Sequence, residues 1–243
     1  MFGTPAPPAA VTPGHAWLYL ESGQQTLLKW LAILMMLLDH ANRTLWSFKP
    51  WLSTLGRLAF PLFAFLMAYN LTVRGISARR YWRPLLIFGV VSQAPAMLAL
   101  DRELLPLNIF FILLLGSSFF PLRLWFSRML PEGWLWQGVA WLAASYLMLV
   151  LGIGVEYGPL GVLLIPALNV FLQRPSVLSG LTMMSLLVMI NGPRLSSLAP
   201  LLLIPVVLGV YTLKLPRLPR TTWLFYAFYP VHLMILWLLV KTT

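Results

Sequence analysis

A histidine and an aspartate close the apolar stretch KWLAILMMLLDH, residues 29–40. An imidazole, with an ordinary pKa of ~6.5, is the side chain best matched to taking a proton from a nucleophile near neutral pH. Asp39 and His40 therefore form the first candidate catalytic pair. Adjacent residues on a helix point about 100° apart, so Asp39 orients His40 only if the helix loosens there; otherwise His40 needs a partner from another segment. Asp39 is better set to pair with Arg43, four residues on, and so to brace the helix end. Lys29 precedes His40 by three turns of helix, which puts the two on one stripe about 16 Å apart along the axis. Such a stripe suits a long anionic ligand, held at the ammonium and presented to the imidazole at its reactive end.

Other groups can assist. Arg57, beside Gly56 in TLGRLAFPLFAFL, is a guanidinium inside an apolar run, where facing Asp39 or a substrate oxygen lowers its cost. Arg80 and Arg83 in RRYWRP stand at i, i+3; if the segment is helical they converge, and a bound phosphate relieves their repulsion. Pro84 then suits the first turn of a helix whose positive end also favours an anion. The amides of the SQAP segment, residues 92–95, and of Asn108 can bond across helices. Glu156 and Tyr157 sit in VEYGPLG, and Tyr229 and His232 share a face in YPVHL. The ordinary alternatives are a snorkelling Lys29, a positive-inside bias for the arginines and a satisfied helix-end histidine.

The elements that must position these groups are membrane helices. Of 243 residues 60% are hydrophobic and 9% charged, and the mean hydropathy is +0.83, too apolar for a soluble core of this size. Without a cysteine there is no disulfide or thiol chemistry, and six carboxylates with three histidines (His15, His40, His232) argue against a metal cage. The formal charge of +11 comes from basic residues scattered between apolar spans, which argues for membrane orientation and against a nucleic-acid partner. Residues 1–25 read as an extramembrane tail and 26–243 as one all-α, polytopic membrane domain. Apolar windows fall near 26–47, 54–72, 84–100, 107–124, 133–152, 158–173, 177–192, 197–213 and 222–240: about nine transmembrane helices, within a range of eight to ten. Ten lysines and arginines lie in the loops on the amino-terminal side and five on the other, which predicts a cytoplasmic amino terminus.

KWLAILMMLLDHANR, GRLAFPLFAFLMAYNLT, SQAP, LNIFFILLLG, EYGPLG and FYPVHL follow, in order, the pattern of the TraX family, which includes the conjugative pilin acetylases. The resemblance runs over about residues 26 to 240. That family in turn is similar to the broader transmembrane acyltransferases, in which a basic residue precedes a histidine by eleven positions and an Arg-x-x-Arg motif faces the cytoplasm. Lys29 stands where the broader family has arginine, and an ammonium cannot make a guanidinium's bidentate contact.

The resemblance implies an acyltransferase of the bacterial inner membrane that takes acetyl from acetyl-CoA supplied by the cytoplasm. Its acceptor would be the amino-terminal amine of a pilin subunit, or alternatively a hydroxyl of a surface glycan. His40 would be the base, and Arg80, Arg83 and Lys29 would hold the donor. On that mechanism Arg57 and Asn108 join the donor site, where either could face the developing oxyanion, and Glu156, Tyr157, Tyr229 and His232 contact the acceptor. Readings from other classes are a transporter with Asp39, His40 and Arg57 as an ion relay, and a scaffold without catalysis.

Overall fold

The structure, a computed structural model, describes residues 18–46, 48–192, 195–216 and 222–242. His15 and the loop residues Arg194, Arg217 and Arg220 lie outside the described residues. Every regular element among them is helical, apart from one isolated parallel bridge between Leu107 and Val155. The order is α1 (Ser22–Thr44), α2 (Pro50–Gly56), α3 (Ala59–Thr72), α4 (Arg79–Leu100), α5 (Ile109–Met129), α6 (Trp134–Gly152), α7 (Gly158–Gln173) and α8 (Val177–Met189). A 3₁₀ segment (Leu195–Leu202) then leads into α9 (Leu203–Tyr211), and α10 (Thr222–Thr242) closes the bundle.

Five stretches are long and apolar enough to cross a membrane: Pro50–Thr72, Arg79–Leu100, Ile109–Met129, Trp134–Gly152 and Trp223–Thr242. Gly158–Gln173, Val177–Met189 and Leu198–Tyr211 are apolar but shorter. At 1.5 Å per residue the thirteen residues of α8 reach about 20 Å, less than a hydrocarbon core of ~30 Å. Pro200 lies within the 3₁₀ segment, where a missing N–H prevents a regular α-helical ladder. In α1 the polar groups Gln24, Gln25, Lys29, Asp39 and Arg43 dilute the apolar run.

The α2–α3 stretch is the hub. Its apolar window is 72% buried, against 22% for α6 and α10, because α3 is hydrophobic on every side while the outer helices turn Leu, Val and Trp outwards. A break at Arg57 and Leu58 separates α2 from α3, and it is here that α2 meets α1: a Cβ on Gly56 would come within 2.3 Å of the Asp39 Cβ. Asn42 fastens the intervening turn, accepting from Lys49 N at 2.7 Å and donating to Lys49 O at 3.0 Å. The last helix, α10, packs on α4 and also on α1. Trp30 against Phe225, with centroids 5.4 Å apart, and Phe88 against Tyr226, at 5.3 Å, mark the two contacts.

Polar locks join the other helices. Gln93 accepts from the Asn108 backbone N–H at 3.1 Å and from its Nδ2 at 2.9 Å, so the SQAP amide and Asn108 do bond across α4 and α5. Thr72 donates to Asn169 at 2.6 Å between α3 and α7. One local expectation fails: α4 begins at Arg79, so Pro84 lies in its second turn and not its first. Helix formation over 79–83 is what sets Arg80 and Arg83 on one face.

Candidate functional site

The elements above leave two cavities at opposite ends of α1. The first, of about 310 Å³, is lined by Asp39, His40 and Arg43 from the end of α1 and by Gly56 and Arg57 from the α2–α3 break. The facing wall comes from Arg102, Glu156, Tyr157, Asn191 and Tyr229. The second, of about 780 Å³, takes Gln25 and Lys29 from the start of α1 and Arg74, Arg80 and Arg83 from the α3–α4 turn and α4. Phe88, Phe110, Trp223 and Tyr226 give it an aromatic side.

At the histidine cavity the two imidazoles meet. His40 Nδ1 and His232 Nε2 are 2.8 Å apart, and both side chains are buried. Their planes are 7° apart and their centroids 5.1 Å, about the sum of the nitrogen separation and two ring radii, so the rings lie edge to edge in nearly one plane. His232 Nδ1 in turn lies 2.8 Å from the Phe228 carbonyl, which can only accept. In the neutral pair that fixes both tautomers: His232 donates from Nδ1 to Phe228, accepts at Nε2 from His40 Nδ1–H, and leaves His40 Nε2 as the unprotonated nitrogen. No hydrogen bond among the described residues engages that nitrogen. A helix-borne histidine held this way, beside a cavity, presents a base.

Two ion pairs flank it. Arg43 binds Asp39 at 2.6 Å, one turn back along α1, and Arg102 binds Glu156 on the facing wall. Burial works against the Arg102 charge, but the Glu156 carboxylate more than offsets it and holds the guanidinium above its ordinary pKa. Desolvation, with Glu156 adding to it, pushes the Tyr157 hydroxyl well above its usual range, so it remains a neutral donor. The Tyr157 ring is stacked on Phe60, centroids 4.3 Å apart. Arg57 donates to the Asn191 carbonyl at 3.3 Å.

The wall of this cavity also holds an unusual share of unsatisfied groups. Among the described residues seven buried side-chain N or O atoms lack a hydrogen-bond partner, and four of them are Asp39 Oδ1, Arg57 Nε, Asn191 Nδ2 and the Tyr229 hydroxyl. A fifth, Asn70 Oδ1, belongs to the wall of the basic cavity. Each orphaned buried group costs roughly 1–3 kcal/mol, and their collection on cavity walls offers hydrogen-bonding sites that a ligand or ordered water can fill.

The cavities approach each other at Phe110, in the basic one, and Tyr229, in the histidine one, whose rings meet edge to face at 5.3 Å. Lys29, with its ammonium 5.4 Å from the Phe225 ring centroid, thus stands in the basic cavity and His40 in the other, as one helical stripe requires. Arg80 and Arg83 join Lys29, and Arg74, 3.1 Å from Gln25 Oε1, adds a further cation that the spacing argument passed over.

Three expectations change. Arg57, read as a donor-site residue, lines the histidine cavity because the α2–α3 break carries it to that end. His232, read as a substrate contact, lines neither cavity; it stands behind His40 as its hydrogen-bond partner. Asn108 does not reach either cavity: it caps α5 by accepting from Phe110 N, and its Nδ2 hydrogens go to Gly89 O at 2.8 Å and to Gln93. A spent amide at 1% exposure has no donor left for an oxyanion. The pairing of His40 with His232 escaped the local motifs, yet one signal pointed to it: two of three histidines lie in apolar helices, where an imidazole must find a polar partner. Arg102 and Asn191 carried no such signal.

The sequence model of the family described as TraX protein matches residues 24–240. Among curated relatives, Protein TraX of Escherichia coli strain K12 is 41% identical over 64 residues, 25% of this chain and 26% of that protein. A second Protein TraX of Escherichia coli is 32% identical over 89 residues, 35% of this chain and 34% of that protein. The aligned stretches therefore span between a quarter and about a third of those relatives. No solved structure matches the chain.

Proposed function

The chain belongs to the TraX family, and from that premise we propose that it is an integral-membrane acetyltransferase that uses acetyl-CoA to modify the amino-terminal amine of a pilin subunit. The observation that carries the reading is the approach of two unlike cavities at the Phe110–Tyr229 contact, one of them lined by a tautomerically fixed histidine.

The basic cavity fits the donor by size and chemistry. Its ~780 Å³ lies within the range of ligand pockets, Arg74, Arg80, Arg83 and Lys29 suit phosphates, and the aromatic side and the orphaned Asn70 Oδ1 suit a base and an amide-bearing arm. With the amino terminus cytoplasmic and about nine crossings, this cavity opens to the cytoplasm and the histidine cavity to the other face of the inner membrane. Bound there, the donor supplies a thioester carbonyl to the junction at Phe110 and Tyr229.

The histidine cavity fits the acceptor. Asp39 Oδ1 accepts, Arg57 Nε and Asn191 Nδ2 donate, and a peptide amino terminus brings both an amine and a carbonyl to such a set. The two ion pairs neutralise most of the remaining charge. His40 Nε2 removes the proton from the amine as it attacks the thioester carbon, and the protonated imidazole then returns that proton to the departing thiolate. His232 accepts from His40 Nδ1 throughout and keeps the basic nitrogen aimed at the cavity. Arg43 holds Asp39, and so the end of α1, in place.

Mass spectrometry of pilin and surface glycans from cells carrying the wild-type protein, His40→Ala or no gene tests the proposal. An acetyl group on the pilin amino terminus only with the wild type is expected. Its appearance on a glycan instead moves the acceptor, and its persistence with His40→Ala removes the base from His40.

A further inference from the structure

We infer that the Tyr229 hydroxyl is a catalytic group, the hydrogen-bond donor that stabilises the oxyanion formed on the thioester oxygen. The inference rests on the proposed acetyl transfer and assigns a step that the family resemblance had left to Arg57 or Asn108.

Tyr229 is 2% exposed, yet its hydroxyl has no hydrogen-bond partner among the described residues. A buried phenol normally finds a partner, because leaving it unpaired forfeits its hydration. Here the ring is held too firmly to search for one. Phe110 meets it edge to face at 5.3 Å, His232 lies at 5.5 Å and His40 at 6.0 Å, each at a steep angle to its plane. Packing on three sides fixes where the hydroxyl sits, in the wall of the cavity that His40 Nε2 serves. The same residue forms the partition with Phe110, across which the donor's carbonyl would arrive from the basic cavity. A rigid, preorganised O–H beside a base is what acyl transfer requires.

The alternatives are engaged elsewhere. Both Nδ2 hydrogens of Asn108 are spent on Gly89 and Gln93. Arg57, at the α2–α3 break, gives a terminal nitrogen to the Asn191 carbonyl, and its orphaned Nε is the donor assigned above to the acceptor peptide. Tyr157, the other phenol of the cavity, is stacked on Phe60, whereas the phenol that meets Phe110 at the junction with the basic cavity is Tyr229.

A bond forms between the acceptor nitrogen and the carbonyl carbon, His40 Nε2 takes the nitrogen's proton, and the carbonyl π pair moves to oxygen. The Tyr229 hydroxyl donates to that oxygen without giving up its own proton. The pair then returns, the carbon–sulfur bond breaks, and His40 gives the proton to the thiolate.

The test is isotope-edited infrared spectroscopy of acetyl-CoA labelled with ¹³C at the carbonyl, bound to purified protein. His40→Ala serves as the background so that no turnover occurs, with and without Tyr229→Phe. With Tyr229 present, the bound carbonyl stretch is expected below its free value; Tyr229→Phe returns it towards the free position with affinity changed less than about twofold. In the His40-intact protein, Tyr229→Phe is expected to lower kcat on the order of 10²-fold, the loss typical of one oxyanion donor. It should not lower the melting temperature, since the lost hydroxyl bonds nothing. An unchanged stretch in bound donor, or full kcat in Tyr229→Phe, overturns the assignment while the transferase reading stands. Failure of the protein to bind labelled donor at all overturns the reading beneath it.

Discussion

His40 Nδ1 and His232 Nε2 are 2.8 Å apart although 192 residues separate them in the chain. On the proposed function, the contact puts the base on α1 under the control of α10 and makes His232 a positioning residue. His232→Ala is therefore expected to lower kcat roughly 10- to 100-fold, the range seen for partners that orient functional imidazoles, with KM for acetyl-CoA unchanged. His232→Gln keeps an acceptor for His40 Nδ1–H and should retain more activity. Steady-state kinetics on the two variants checks the ordering, and equal losses would remove the tautomer argument.

The base must be unprotonated to act, so kcat/KM is expected to rise with pH as the His40–His232 pair loses its proton. Once the acceptor amine's own ionisation, ordinarily at ~8, is allowed for, the remaining limb belongs to the pair, because the two rings share one hydrogen bond, and should have the slope of a single proton. Replacing His232 with Gln should move the midpoint of this limb; a pH profile of the wild type and His232→Gln measures it.

Donor affinity should depend on the basic cavity and not on the histidine one. Arg80→Ala and Arg83→Ala are each expected to weaken acetyl-CoA binding roughly tenfold, the size of a partly screened phosphate contact, and the difference should shrink in high salt. Calorimetry at two ionic strengths is decisive, with His40→Ala, which should bind as the wild type does, as control.

Asn108→Ala separates structure from catalysis. It strips a cap from α5 and removes the side-chain donor to Gly89 O and one of the two donors to Gln93 Oε1, which keeps the Asn108 backbone N–H, at about 1–3 kcal/mol. Thermal unfolding in detergent should report that loss, while kcat per folded molecule stays near wild type.

Gly56→Ala probes the closest approach behind the site. The added Cβ would lie 2.3 Å from the Asp39 Cβ, so α1 and α2 must part, at ~1–3 kcal/mol of overpacking. A lower melting temperature together with reduced kcat is the expected outcome, because the same shift moves His40.

Local periodicity carried far in this chain because every regular element among the described residues is helical and five stretches are apolar runs long enough to cross a membrane. Lys29 and His40 fell on one stripe, Asp39 paired with Arg43, and Arg80 and Arg83 converged once α4 formed, all from spacing alone. What spacing could not supply was the packing order. Nothing in YPVHL says that α10 lies against α1, so His232 read as a contact on the substrate and not as the partner of His40. Likewise Arg102 and Glu156, 54 residues apart in two short loops, meet only because the Leu107–Val155 bridge draws those loops together. The α2–α3 break similarly carried Arg57 to the end opposite the one its donor role required.

The order of the helices has a consequence for biogenesis. A ribosome that has inserted α1 to α9 has already built the basic cavity's cationic side, yet its product holds a His40 with no acceptor for Nδ1 and a wall without Tyr229. On the proposed function, such a nascent chain would be able to hold a donor but not to use it. Competence would then arrive in one event, when α10 partitions from the translocon and docks between α1 and α4.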